Sequence, residues 1–219
     1  MFLDSFEAIA RRTALLGALN SLTQVTLKAM MPGVPDFYQG TEFWDLSLVD
    51  PDNRRPVDFK VRSDALEHLG ETADWAALTE DWQSGWIKLT LTQQLLAIRN
   101  RFDTVFTSGG HRALDVTGPH AEEVIAFARS QGRDTIIVVA GRLFARTTDG
   151  GRAWPSPDTL PQASIKIDGL SAVRSLLAPA APAQATQLSA SQLFAHLPVA
   201  ILHAESAKMR RPRVLTAAM

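Results

Sequence analysis

The chain contains no cysteine. Disulfides, thiol catalysis and cysteine-based metal sites are therefore excluded, and the composition fits a reducing cytoplasm. No stretch reaches the roughly 18 uncharged apolar residues that a membrane span requires, so no membrane partner is expected. The first residues, Met1-Phe2-Leu3-Asp4-Ser5-Phe6-Glu7, carry an early acid and no basic segment leading into a long apolar run. That is not a signal-peptide pattern. Positive charge is not in excess either, with a formal net charge of -1. A phosphate-backbone footprint needs a basic stripe, and the one basic cluster, Lys208-Met209-Arg210-Arg211-Pro212-Arg213, reads as a solvated terminal tail. No nucleic-acid partner is expected.

Two further absences remove common chemistries. His68, His111, His120, His196 and His203 are widely spaced and never fall two to one helical turn, so no metal site is expected. Ser108-Gly109-Gly110-His111 lacks the glycine spacing and following lysine of a phosphate-cradling loop. No cofactor is indicated.

What is present is ordinary globular material, 46% hydrophobic and 21% charged over 219 residues, enough for a substantial core in one or two domains. Asp4 and Glu7 have capping-box spacing. Phe6, Ile9, Ala10, Leu15, Leu16, Leu19 and Leu22 then recur at steps of mostly three and four, predicting a helix to about Ala29 that can break near Gly17 or Asn20. Residues 30–58 change character, with Pro32, Gly33, Pro35, Gly40, Pro51 and Pro56. They admit a short strand over Val34–Tyr38 and then a long loop, Gln39–Phe59. Structureless loops of this length are usually functional, and this one is rich in Asp, Arg, Asn and Trp.

Helices are predicted again over 63–78 and about 85–101. From about Phe106 the period becomes two. Strands are expected at 124–128, 135–140, 163–167 and 198–202, the first two forming a hairpin through Gln131-Gly132-Arg133-Asp134. Residues 178–185 read as a surface loop.

The segment Pro32-Gly33-Val34-Pro35-Asp36-Phe37-Tyr38-Gln39-Gly40-Thr41-Glu42 resembles the last barrel strand and following loop of the α-amylase superfamily, on Gly33, Pro35, Tyr38, Gly40 and Glu42. Its continuation, Phe43-Trp44-Asp45-Leu46-Ser47-Leu48-Val49-Asp50-Pro51-Asp52-Asn53-Arg54-Arg55-Pro56-Val57-Asp58-Phe59, is similar to the signature of the maltooligosyltrehalose synthases. The resemblance extends more loosely to Leu95–Arg99 and Thr117–His120, and fades at Ala204.

This resemblance implies an α+β chain. A partial TIM barrel, its last strand and flanking helices, would occupy residues 1–104. An antiparallel, sandwich-like β domain would occupy 105–203, and a tail 204–219. The family converts the reducing-end α-1,4 bond of a maltooligosaccharide into an α,α-1,1 bond without a cofactor. Retaining glycosidase chemistry needs two facing carboxyls, which the family carries on earlier barrel strands, so no catalytic residue is assigned here. The carry-over gives Tyr38, Glu42, Trp44, Asp50, Asp52, Asn53, Arg54 and Arg55 as substrate-binding candidates, by hydroxyl-gripping charges and aromatic stacking. The alternatives are structural: Glu42 paired with an arginine inside the loop, Trp44 as a packing anchor, and Trp75, Trp82 and Trp86 packing helices against the β domain. A maltooligosaccharide is the expected partner of the completed barrel. Self-association through exposed barrel faces, and a non-catalytic glucan-binding or interaction module, are the competing expectations.

Overall fold

A computed structural model describes residues 2–48, 50–69, 73–178 and 186–206. The first half is helical: α1 (Phe2–Met30), α2 (Phe59–His68), α3 (Trp75–Glu80), α4 (Trp86–Arg101) and α5 (Asp103–Ser108). The second half holds β1 (Gly110–Ala113), β2 (Val116–Thr117), β3 (Val124–Gln131), β4 (Asp134–Gly141), β5 (Ser164–Lys166), β6 (Leu170–Ser175), β7 (Gln187–Ser189), the short α6 (Ala190–Leu193) and β8 (Val199–Ser206). Five strands form one antiparallel sheet in the order β1-β3-β4-β8-β6, and three form a second in the order β2-β5-β7.

The central strand, β4, explains the layering. Successive side chains on a strand point to opposite faces. Ile136, Val138 and Ala140 join the cluster shared with the helices, together with Leu22, Val25, Ile87, Leu91, Leu95 and, from β8, Val199 and Ile201. Ile137 and Val139 face the other way, onto Ile165, Ile167, Leu188 and Phe194 of the small sheet and its surroundings. Ile136, Ile137, Val138 and Val139 are all fully buried, at roughly 1.5–3 kcal/mol of burial each. This is a three-layer arrangement: helices, five-stranded sheet, three-stranded sheet. The helical half and the large sheet share one continuous core.

Several sequence expectations are corrected. Residues 34–38 form no strand ladder, because no described strand lies beside them to exchange hydrogen bonds. The helix expected over 63–78 starts earlier, at Phe59, where the Asp58 carboxylate accepts from Val61 N at 3.0 Å, and it stops at His68. A separate helix restarts at Trp75, capped by Asp74 on Ala77 N at 3.1 Å. α1 runs unbroken through Gly17 and Asn20. Phe106, read as the onset of strand periodicity, lies in α5. β8 continues to Ser206, so the boundary placed at Ala204 falls inside a strand. Residues 179–185, most of the expected surface loop, and the basic cluster 208–213 lie outside the described residues.

Two features of the helical layer stand out physically. In α1, residues 2–14 are exposed and include Phe2, Leu3, Phe6 and Ile9, whereas Leu15, Leu19 and Leu22 are buried. In β3, Arg129 is 2% exposed and points at the end of α5. Its Nη2 donates to the carbonyls of Val105, Phe106 and Gly109 at 3.1–3.2 Å, while Nε and Nη1 have no partner. The negative end of a helix dipole thus faces this cation.

Because one core joins helices and sheet, truncating a helix residue should destabilise the sheet. Leu91→Ala is expected to cost about 2–5 kcal/mol. Tryptophan fluorescence, which reads mainly the helical half through Trp44, Trp75, Trp82 and Trp86, and far-UV circular dichroism should follow one urea transition; two separated transitions would show that the halves fold apart.

Candidate functional site

The loop over residues 39–58 leaves α1 through Met31-Pro32-Gly33 and returns at the N-cap of α2. Its first part is held from both sides by cations on helices. From α2, Arg62 Nε donates to Glu42 Oε2 at 2.7 Å, Nη2 to the Gly40 carbonyl at 2.8 Å and Nη1 to the Asp58 carbonyl at 3.0 Å. Its guanidinium lies 5.5 Å from the Phe43 ring centroid. From α4, Lys88 Nζ donates to the Phe43 carbonyl at 3.1 Å and sits 5.7 Å from the Trp44 ring centroid. Burial pushes the Lys88 ammonium below its ordinary value, with Asp45 opposing that shift. Hydrogen bonds from Ser47 hold the Asp45 carboxyl below the usual carboxylate range.

Trp44 is half-buried. Its indole N–H donates to the Trp82 carbonyl at 2.7 Å, and its ring meets Trp82 edge-on at 6.4 Å. Gly85, at φ +82°, lets the loop pass: a Cβ there would stand 3.0 Å from Phe43 Cδ1 and 3.3 Å from Trp44 N. The geometry of Trp44 is that of a packing anchor. Trp75 is likewise buried, donating to the Leu177 carbonyl at 2.6 Å. Trp86 is half-buried.

The second part of the loop is held mainly by its own side chains. Asp50 pairs with Arg54, with Nη2 donating to Oδ2 at 3.0 Å. Asp52 accepts from Leu48 N at 2.8 Å and pairs with Arg55. A 3-10 turn spans Asp52–Arg54. Tyr38, 45% exposed, donates to the Asn53 carbonyl at 3.5 Å. Asn53 Oδ1 is buried without a partner. Leu46 and Leu48 are strongly exposed.

The structure therefore brings Tyr38 beside Asn53 and gathers Asp50, Asp52, Arg54 and Arg55 on one turn, exposed except for Asp52. Glu42 does pair with an arginine, but that arginine stands on α2. Sequence reasoning missed Arg62 and Lys88. Arg62 carried a signal, four residues after the N-cap Asp58, and Lys88 carried another, a charge inside the apolar run Ile87–Leu91. Among the described residues no three His, Asp or Glu side chains come together as a metal site, and no helix is long and apolar enough to cross a membrane. His203 instead meets Asp134 at 2.7 Å.

The chain thus places a Gly-x-Pro-x-x-Tyr-x-Gly-x-Glu loop, Gly33 to Glu42, on helices packed over two antiparallel sheets. No family model matches the chain. In fold it is similar to α-amylase-type enzymes: a structure of an Anoxybacillus α-amylase superposes on 86% of this chain at a TM-score of 0.51 and 16% identity, which speaks for the fold alone. More specifically, the chain is similar in both sequence and structure to maltooligosyltrehalose synthases. It is 36% identical over 155 residues to a Mycobacterium tuberculosis protein provisionally named a maltooligosyl trehalose synthase, covering 67% of this chain. The structure of the maltooligosyltrehalose synthase from Arthrobacter ramosus matches 87% of the chain at 31% identity and a TM-score of 0.62. A further maltooligosyl trehalose synthase crystal structure matches 91% at 30% identity and a TM-score of 0.64. The chain spans 18% of the length of the curated relative and 22–23% of these solved chains. No closed barrel forms among the described residues.

The buried Lys88 gives a signed pH dependence. Its folded-state value lies below the 10.5 of the free side chain, so the unfolded chain binds more protons between those two values, and stability rises with pH across that window. Lys88→Met lacks this rise. Measured by urea unfolding at pH 7 and pH 10, the wild-type midpoint should gain on that of the variant; parallel midpoints would remove the assignment.

Proposed function

We propose that this chain is the C-terminal part of a maltooligosyltrehalose synthase, a (1->4)-α-D-glucan 1-α-D-glucosylmutase of trehalose biosynthesis working in the cytoplasm. On this reading residues 1–104 contribute the last strand region and flanking helices of a TIM barrel, and the C-terminal β domain runs from about residue 105 through β8 to Ser206. The loop from Tyr38 to Arg55 is then part of the wall that grips a maltooligosaccharide. Active sites of such barrels are built at the C-terminal ends of the strands, which suits a long polar loop following the Val34–Tyr38 segment.

The observation that carries the reading is double: sequence identity of 30–36% and a matching fold relate the chain to the same enzymes. The loop supplies the fitting chemistry, with Asp50, Asp52, Arg54 and Arg55 able to hydrogen-bond sugar hydroxyls. It does not supply a reaction centre. Glu42, Asp50 and Asp52 are each matched to an arginine, and the two facing carboxyls of glycosidic chemistry are read as belonging to earlier barrel strands. The 219 residues alone are therefore read as inactive in the rearrangement.

A second reading is favoured by one specific observation. Phe2, Leu3, Phe6 and Ile9 are 60–77% exposed on a single helix. An apolar patch of this kind marks an interaction surface, as expected of a non-catalytic docking or self-associating module.

Incubation with maltopentaose tests the inactivity that both readings share, and light scattering separates them, a clean monomer counting against the second. The purified chain should leave the reducing ends unchanged; appearance of a non-reducing product would overturn the inactivity assignment.

A further inference from the structure

We propose that Arg62 is the positioning residue of the loop, setting the spacing between Tyr38 and Trp44 through the segment between them; the proposal rests on the reading that this loop meets a glucan. The guanidinium offers donors in a fixed planar fork. Three of its nitrogens are committed inward, one each to Glu42 Oε2, the Gly40 carbonyl and the Asp58 carbonyl. Arg62 spends three of its five N–H groups on the loop and its side chain is only 18% exposed, so it acts chiefly through its partners.

Those partners mark the two ends of the loop. Gly40 and Glu42 lie in the outgoing segment, and Asp58 is the residue whose carboxylate caps α2. Gly40 sits at φ +90°, where a Cβ would stand 3.1 Å from Val57 Cγ2. Both ends of the loop are therefore pressed together at Arg62. The pair with Glu42 is withdrawn from solvent on both sides, with side chains 18% and 30% exposed, so it is worth more than the Asp50–Arg54 pair, which is exposed on both sides, and the Asp52–Arg55 pair, whose arginine is exposed. Beyond this clamp, the turn carrying Asp50–Arg55 depends on short-range bonds and the 3.5 Å contact from Tyr38. The clamp fixes where that turn starts and where it returns.

The experiment uses the full 219-residue chain with maltopentaose as the probe. Binding is read by calorimetry, and order is read by amide hydrogen exchange over residues 40–45. Arg62→Met should weaken maltopentaose binding about tenfold or more, the scale of small misplacements of binding groups. Exchange at 40–45 should quicken to a similar degree, while peptides 124–141 and 199–206 of the large sheet stay unchanged. Arg62→Lys should not restore binding, since a single ammonium cannot span three acceptors. Arg62→Met that binds maltopentaose as the wild type does overturns the proposal. Should the sheet peptides also open in Arg62→Met, Glu42→Leu decides: it removes the acceptor of Arg62 Nε and keeps the two carbonyl contacts, and wild-type binding in that variant likewise overturns the proposal. If the wild type itself ignores maltopentaose, the glucan reading fails separately, and exchange over 40–45 still judges Arg62. Unchanged exchange there sinks the clamp; faster exchange confined to 40–45 upholds it.

Discussion

Burial of β4 on both faces is the constraint from which the rest follows. A strand whose alternate side chains serve two cores cannot lie at the edge of a sheet or face water. It must have a layer above and a layer below. The run Thr135-Ile136-Ile137-Val138-Val139-Ala140 has no polar alternation to spare, in the manner of strands covered on both sides. The helices above supply Leu22, Ile87, Leu91 and Leu95, and the small sheet below supplies Ile165, Ile167 and Leu188. With α1 and α4 locked against β4, the junction at Gly85 and the start of α4 acquire a fixed place. That is where the loop passes, under Phe43 and Trp44. The candidate site is thus seated, through two packed layers, on the central strand.

Three cations show how the same charge does different work in different surroundings. Arg129 is deeply buried and finds carbonyls at the end of α5 instead of a carboxylate, so burial depresses its pKa and Arg99 adds to the effect. Lys88 is buried beside Asp45 and holds one carbonyl and one ring. Arg62 is only partly withdrawn and carries three hydrogen bonds to the loop. Leaving a buried donor or acceptor unpaired costs roughly 1–3 kcal/mol per group, more than a typical exposed ion pair contributes, about 0.2–1 kcal/mol. By that comparison the architecture depends on Arg129, Lys88 and Arg62. The Asp50–Arg54 pair is exposed on both sides and does little for it, and Arg55 is the exposed side of its pair with Asp52, which leaves Asp50, Arg54 and Arg55 open to a ligand.

Sequence pattern located the main elements: α1 and α4 by apolar residues at helical spacing, and the Val124–Ala128 and Thr135–Ala140 hairpin by two short, nearly continuous apolar runs around a turn. The short strands β2, β5 and β7 span two or three residues each, too few for a period of two to register, and β1 is exposed along its length. Val34–Tyr38 has strand composition, but a ladder requires a neighbour, and composition does not report neighbours. Within the loop the candidates could be chosen by residue type. Their partners could not: Glu42 to Arg62 spans twenty positions, and Trp44 to Trp82 spans 38, separations at which no local pattern speaks.

The geometry of α1 bears on what surrounds this fold. Phe2 and Leu15, Phe6 and Leu19, and Ile9 and Leu22 form three pairs, each thirteen residues apart. At 3.6 residues per turn, thirteen residues carry the chain about 0.6 of a turn past whole revolutions, so the members of each pair point to nearly opposite sides. The buried member of each pair meets the core of this chain, and the exposed member therefore points away from it. Within the described fold α1 buries the face of Leu15, Leu19 and Leu22 and leaves that of Phe2, Phe6 and Ile9 exposed.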